Sequence, residues 1–181
     1  REIITSLDER ALRESAPWAT AYRTAPTVAG APKALDVPYF SQLDNASGQG
    51  QRECFSSSCA MIAACYNRVE TDDQYNLVRS KYGDTTDAQA HLSALRQLGL
   101  KPAFHTNGTE QDILSQLKKG RPVAVGWLHK GTTKNPSGGG HWSVIIGSEG
   151  RTWTVHDPYG EADLINGGYT ANTDGAAMRY S

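Results

Sequence analysis

Apolar residues recur at two different spacings along this chain, and the spacing changes near Pro122. Before that point they fall three and four apart, the repeat of a helix with one buried stripe. Phe55, Cys59, Ile62, Ala63 and Tyr66 predict a helix over about residues 54–66. Tyr75, Leu77 and Val78 predict a second over about 73–81, with Gly83 as its stop. Ala88, Leu92 and Leu95 predict a third that starts near Asp87, where Thr86 and Gln89 have the form of a capping box, and ends at Gly99. Ile113, Leu114 and Leu117 predict a fourth, capped by Thr109 with Asp112 and stopped at Gly120. After Pro122 the pattern is that of strands. Residues 123–128 and 142–147 form apolar runs of strand length, and Trp153 and Val155 alternate on a third strand beyond a turn at Glu149-Gly150. Residues 164–180 have room for one or two more short strands. Helices first and strands afterwards predict an α+β fold, N-terminal helices packed on a C-terminal, mostly antiparallel sheet.

The start of the chain reads differently. Residues 1–34 contain Pro17, Pro26 and Pro32 with many Ala and Thr, and show little periodicity. They are expected to form an extended arm or linker, with room for a short helix near Leu7 to Glu14, ahead of a domain over 35–181. Residues 35–40 read as a short strand or extended lead-in, and 41–53 as a polar, Gly-rich loop. A start at Arg1 rather than Met fits a processed chain or a piece of a larger modular protein, and the first residues lack the pattern of a signal peptide. The 181 residues suffice for one domain with a hydrophobic core. A net charge of -1 gives no electrostatic case for nucleic acid or an anionic membrane as partner. No apolar run approaches the roughly 20 residues of a membrane span.

The chain has 3 cysteines, Cys54, Cys59 and Cys65, all in the first predicted helix. Cys54 and Cys65 at the two ends of one helix, at about 1.5 Å rise per residue, are too far apart to bridge. Their spacing matches no usual zinc pattern, and the spare histidines His129 and His156 have no partner at ligand spacing, so neither metal nor organic cofactor is expected. Cys59 and Cys65 sit where a small core residue belongs. Cys54 is different, because it follows the polar loop and opens the helix. A thiol there meets unpaired N–H groups and the positive end of the helix dipole, which favour the reactive thiolate. Ser56, Ser57 and Ser58 suit a first turn open to solvent.

His141 follows Gly138-Gly139-Gly140 and opens the apolar strand at 142–147, so it is well fixed and able to face a cleft. Asp157 ends the following strand. His141 stands about as far before the Glu149-Gly150 turn as Asp157 stands after it, so a hairpin brings both to one open end. There a carboxylate can hold the imidazole in one tautomer. His156, next to Asp157 on a strand, is expected to point the other way. Nucleophile, base and orienting group are thus all present. Trp142, beside the histidine in the chain, is expected to shield the His–Asp hydrogen bond, whereas Trp127 and Trp153 read as core.

The order Cys, His, Asp resembles the papain-like superfamily, and the local strings are similar to the peptidases that process bacteriocin leaders. The resemblance rests on Val37-Pro-Tyr-Phe-Ser-Gln-Leu-Asp-Asn45, Cys54-Phe-Ser-Ser-Ser-Cys-Ala-Met61, Leu92-Ser-Ala-Leu-Arg-Gln-Leu-Gly-Leu100, Leu117-Lys-Lys-Gly-Arg-Pro-Val-Ala-Val125, and Gly140-His-Trp-Ser-Val-Ile-Ile-Gly147 with Val155-His-Asp-Pro-Tyr-Gly160. It implies Cys54 as nucleophile, His141 as base, Asp157 as orienting group, and a glutamine upstream of the cysteine as oxyanion donor. Gln42 matches that glutamine by motif, and Gln49 and Gln51 stand as alternatives because the loop before Cys54 is long. Phe55-Ser56 departs from the Gly-Pro that usually follows the cysteine. Phe55, Gly140 and Trp142 flank the predicted machinery and are expected to contact substrate.

The resemblance implies hydrolysis of a peptide or amide bond through an acyl-enzyme. A Pro/Ala/Thr-rich arm ahead of a small catalytic domain suits a phage or bacterial lytic protein acting on cell-wall peptides, secreted or phage-associated. Two other readings use the same residues: an acyl (glutamyl) transferase of the phytochelatin-synthase-like type, and a catalytically silent domain that binds peptide.

Overall fold

The structure is a computed structural model, and it describes residues 3–5 and 33–181. The helix expected near Leu7 to Glu14 lies outside the described residues. Helix α1 (Cys54–Cys65) is the centre of the fold. Its residues from Phe55 to Ala64 are all buried, so it is covered on every side and is not a surface helix with one apolar stripe. This overturns the expectation of a solvated first turn. Ser56 and Thr85 share a hydrogen bond of 2.7 Å, and the Ser57 hydroxyl donates to Asp72 at 2.8 Å. The serines are small enough to let other elements close over the helix start, and two of the three hydroxyls find partners there.

Helices α2 (Asp72–Arg79) and α3 (Ala88–Gln97) pack beside α1. The cap of α3 is Asp87, not Thr86: its carboxylate accepts from the Gln89 N–H at 2.8 Å, while Thr86 turns back to Asp84. Strand β2 (Ala103–His105), which the apolar pattern did not reveal, leads to α4 (Glu110–Lys118). Thr109 and Asp112 form a complete capping box at the start of α4.

Strands β3 (Val123–Thr132) and β4 (Asn135–Glu149) form a long hairpin, followed by β5 (Thr152–His156), β6 (Glu161–Ala162), β7 (Tyr169–Ala171) and β8 (Met178–Tyr180). Strand β1 (Ile3–Thr5) lies between β2 and β3, and the main sheet runs β2-β1-β3-β4-β5-β8, antiparallel throughout. Strands β6 and β7 pair separately. The architecture is α+β, as the sequence predicts.

Strand alternation divides the core into two layers. Ala124, Trp142, Val144 and Ile146 join the α1 side. Val123, Ile145 and Val155 join Ile113 and Leu117 of α4 on the other face. The strand pattern continues past residue 128 into a two-stranded arm whose Gly- and Pro-rich half, 135–140, reads as loop by composition. The turn at 163–168 braces this arm. Thr133 donates to the Leu164 carbonyl at 3.1 Å, and Gly167, at φ 89°, lies so close to the Gly131 backbone that a side chain on it would overlap that backbone.

Candidate active site

An open cleft of about 640 Å³ lies between the start of α1 and the hairpin arm. Cys54, half-buried, sits at the helix end of it, and His141 faces it from β4. The Nε2–H of His141 donates to Asp157 Oδ1 at 2.7 Å. That leaves Nδ1 for Cys54, whose side chain acts on the ring from the other wall of the cleft. Asp157 is fully buried and His141 is 5% exposed, so the pair is shut off from bulk water. Burial is the largest influence on the imidazole and pulls it down. The charge and hydrogen bond of Asp157, with the interactions of Cys54, outweigh burial and push the group up to about 9.

The surroundings of Asp157 explain how its charge is held. Its Oδ1 also accepts from the Tyr159 N–H at 3.1 Å, and its Oδ2 faces the hydroxyls of Tyr180 at 3.3 Å and Tyr169 at 3.5 Å. Its own N–H and C=O are tied to the Gly175 carbonyl at 2.9 Å and the Tyr39 hydroxyl at 3.1 Å. No periodicity marks these tyrosines. The available signal was two phenols, Tyr169 and Tyr180, in a tail otherwise rich in Gly, Asn and Ala. His156 does point away from its neighbour: its Nε2–H donates to the Val37 carbonyl at 2.8 Å, and its Nδ1 accepts from the Ala177 N–H at 3.0 Å.

Trp142 does not shield the His–Asp bond. Adjacent strand residues face opposite ways, so its ring lies on the α1 side of the sheet. There it stacks on Phe55 with centroids 3.9 Å apart and planes at 3°. Phe55 in turn meets His91 at 4.0 Å. The tryptophan beside His141 is Trp127, its cross-strand partner, edge-on at 5.4 Å. Trp127 is half-buried and donates its indole N–H to the Ser143 hydroxyl at 2.6 Å. Phe55, Gly140 and Trp142 all line the cleft, although Phe55 and Trp142 present only an edge of their surface.

Of the three candidate glutamines, Gln42 is buried at 1% exposure and lines the cleft. Its amide donates one hydrogen to the Gly50 carbonyl at 2.6 Å, which leaves the second N–H free. Gln51 also lines the cleft, but it is exposed and its side-chain oxygen accepts from Tyr159. Gln49 is exposed and does not line the cleft.

Behind the loop at 41–53 lies a buried polar network that the sequence did not announce. Glu53 accepts from Asn45 and from the Ser47 hydroxyl, each at 2.7 Å, with Arg79 at 3.8 Å. Beside it burial pushes Asp72 up to about 6, against the pull of its Ser57 hydrogen bond. The network pins the loop that carries Gln42 to the end of the helix that carries Cys54. Cys59 and Cys65 are held as thiols, pushed up by burial. Among the described residues no three His, Cys, Asp or Glu gather as a metal site. No helix there is long and apolar enough to cross a membrane.

The model of the Peptidase_C39 like family matches residues 34–174. The chain belongs to that family. The match takes in Cys54, His141 and Asp157, and it ends before β8 and Tyr180. As a member of this family the chain has the α+β frame of papain-like cysteine peptidases, helix-borne thiol on one side and sheet-borne imidazole on the other. No curated protein and no solved structure matches it.

Proposed function

We propose that the chain is a cysteine peptidase in which Cys54, His141 and Asp157 act as a triad. The observation that carries this reading is the line from a fully buried Asp157 through His141 to the thiol that opens α1, at the edge of an open cleft. Asp157 fixes the tautomer and keeps the ring charged next to a thiolate. The sulfur attacks a peptide carbonyl carbon, and the carbonyl π electrons move onto oxygen. Cys54 is the first residue of α1, so its N–H has no partner within the helix and can donate to that oxyanion. The free N–H of Gln42 supplies a second donor, and such a donor is worth about 10²–10³ in rate. Collapse breaks the C–N bond as the His141 proton passes to the leaving amine. Water, deprotonated by His141, then cleaves the thioester and releases the acid.

The substrate class that follows is peptide or amide. Peptides of the bacterial cell wall are the specific case to test, supported by the Pro/Ala/Thr-rich leading segment. The decisive experiment incubates wild type and Cys54→Ala with peptides and peptidoglycan fragments and reads products by mass spectrometry. Cleavage by wild type alone, with acyl-enzyme mass on Cys54, is expected. Equal products from both proteins would refute the assignment, and an added amine acceptor that captures the acyl group would redirect it to transfer.

A further inference from the structure

The walls of the cleft are charged in one sense. Arg52 stands on the helix side, in the short turn Gly50–Arg52 just before Cys54. Lys130 stands on the sheet side, on β3 of the hairpin arm, next to the uncharged ring of His129. No Asp or Glu lines the cleft among the described residues. The Asp157 carboxylate is buried behind His141, and Asp84 is engaged with Arg52 at 2.9 Å. Lys130 has no carboxylate partner among the described residues. This cationic lining runs against a chain whose net charge is -1.

Lys130 is also positioned. Its stem runs over Gly138, which at φ 89° carries no side chain to block it: a Cβ there would stand 2.7 Å from the lysine Cβ and Cγ. Gly138 therefore leaves the groove in which the alkyl chain lies, while the lysine lines the cleft with its ammonium in no ion pair among the described residues. Beside it, His129 donates its Nδ1–H to the Gly139 carbonyl at 2.7 Å, so its Nε2 faces outward as an acceptor. That nitrogen suits a peptide N–H and leaves Lys130 as the anion-binding group.

We propose that the cleft selects peptides carrying a carboxylate close to the scissile bond, and that Lys130 is the residue that reads it. This rests on Cys54 being the nucleophile, and it names the substrate class of that same site. The carboxylate is an acidic side chain or the C-terminus of a short peptide. Both present the same chemistry to an ammonium in a cleft where low-dielectric walls focus the field.

The test compares alkylation of Cys54 by iodoacetate, an anion, and by neutral iodoacetamide, in wild type, Lys130→Gln, Lys130→Glu and Lys130→Arg. The ratio of the two rates reads the potential at the sulfur whatever the absolute reactivity. It is expected to fall several-fold in the glutamine variant and roughly 10-fold in the glutamate variant, to hold in the arginine variant, and to shrink in wild type as salt is added. The iodoacetamide rate corrects for any change in the reactivity of the sulfur itself. A slow iodoacetamide rate would count against Cys54 as nucleophile and leave the ratio readable. Cleavage of paired peptides, Glu against Gln and free C-terminus against amide, should show the same loss of acid preference and says which carboxylate is read. Equal ratios and equal preferences across all four proteins overturn the proposal.

Discussion

His141 and Asp157 reach each other because the pairing of β4 with β5 slips by one residue at Ile146. From the turn inward Glu149 faces Thr152 and Gly147 faces Thr154, but Ile145 then faces Val155 and Val144 faces His156. Cross-strand partners share a face of the sheet. Continued without the slip, the register would set Asp157 opposite Val144, on the α1 side and away from His141. With Ile146 as the extra residue, Asp157 falls on the face of Ser143 and His141. A bulge beside an active site re-aims a side chain in this way. Equal spacing about the turn in sequence brings the two residues to one end of the hairpin, but the bulge decides the face.

Asp157→Asn keeps the shape of the pair and removes its charge. His141 rises from 6.5 to about 9 against the opposing effect of burial. Its imidazolium is therefore retained to alkaline pH, and the stability contributed by the pair is full below the unfolded value and lost as pH rises through about 9. The alkaline limb of kcat/KM in wild type is expected there. In the asparagine variant only Cys54 still opposes burial, so the limb should move down by about two units, with activity falling about 100-fold or more. A limb that stays in place would show that another group titrates.

Tyr180→Phe tests the cage around the buried carboxylate. The phenol donates toward Asp157 Oδ2 and accepts from the Ala162 N–H at 2.9 Å. Removing it should lower kcat by roughly 10-fold, worth about 1.4 kcal/mol, with KM nearly unchanged. A compensating rise in KM alone would assign the residue to substrate contact.

The three thiols should separate under alkylation near neutral pH. Burial raises both Cys59 and Cys65, while Cys54 lines the cleft with His141 beside it. Peptide mapping after a short exposure to iodoacetamide should find modification at Cys54 well ahead of the others. In His141→Ala that lead should shrink by about 10-fold or more.

Acid stability offers a test remote from the cleft. His91 is buried, its Nε2–H given to the Thr85 carbonyl at 2.7 Å and its Nδ1 accepting from the Tyr75 hydroxyl at 3.0 Å. Burial lowers it to about 4. The unfolded chain takes up that proton first, so the stability is complete above 6.5 and falls as pH drops toward 4, by on the order of 3 kcal/mol. Asp72, raised to about 6, acts in the opposite sense over part of the window. Urea melts at several pH values should therefore show a shallower acid dependence in His91→Gln than in wild type.

Much of this frame is legible in the residues because it is local. The Thr109–Asp112 capping box, the stops at Gly99 and Gly120, and the apolar runs of β3 and β4 depend on neighbours a few positions away. What the pattern missed depends on contacts far along the chain. The phenols around Asp157 arrive from β7 and β8, and Glu53 meets Arg79 only once α2 has docked. Trp142 is adjacent to His141 in sequence, yet strand alternation sends it to the opposite face, and the ring beside the histidine comes from the partner strand. The arm at 135–140 reads as loop because Gly and Pro carry no apolar signal, although its backbone pairs along β3.

Where Gly167 rests on Gly131, two residues without side chains meet backbone to backbone. That contact seats the arm on the 163–168 turn. Any side chain at Gly167 would act as a shim against the Gly131 backbone, displacing the arm that forms one wall of the cleft without touching sulfur, imidazole or carboxylate. The gauge of this opening, and with it the bulk of the chains admitted, is thus adjustable from a point outside the chemistry.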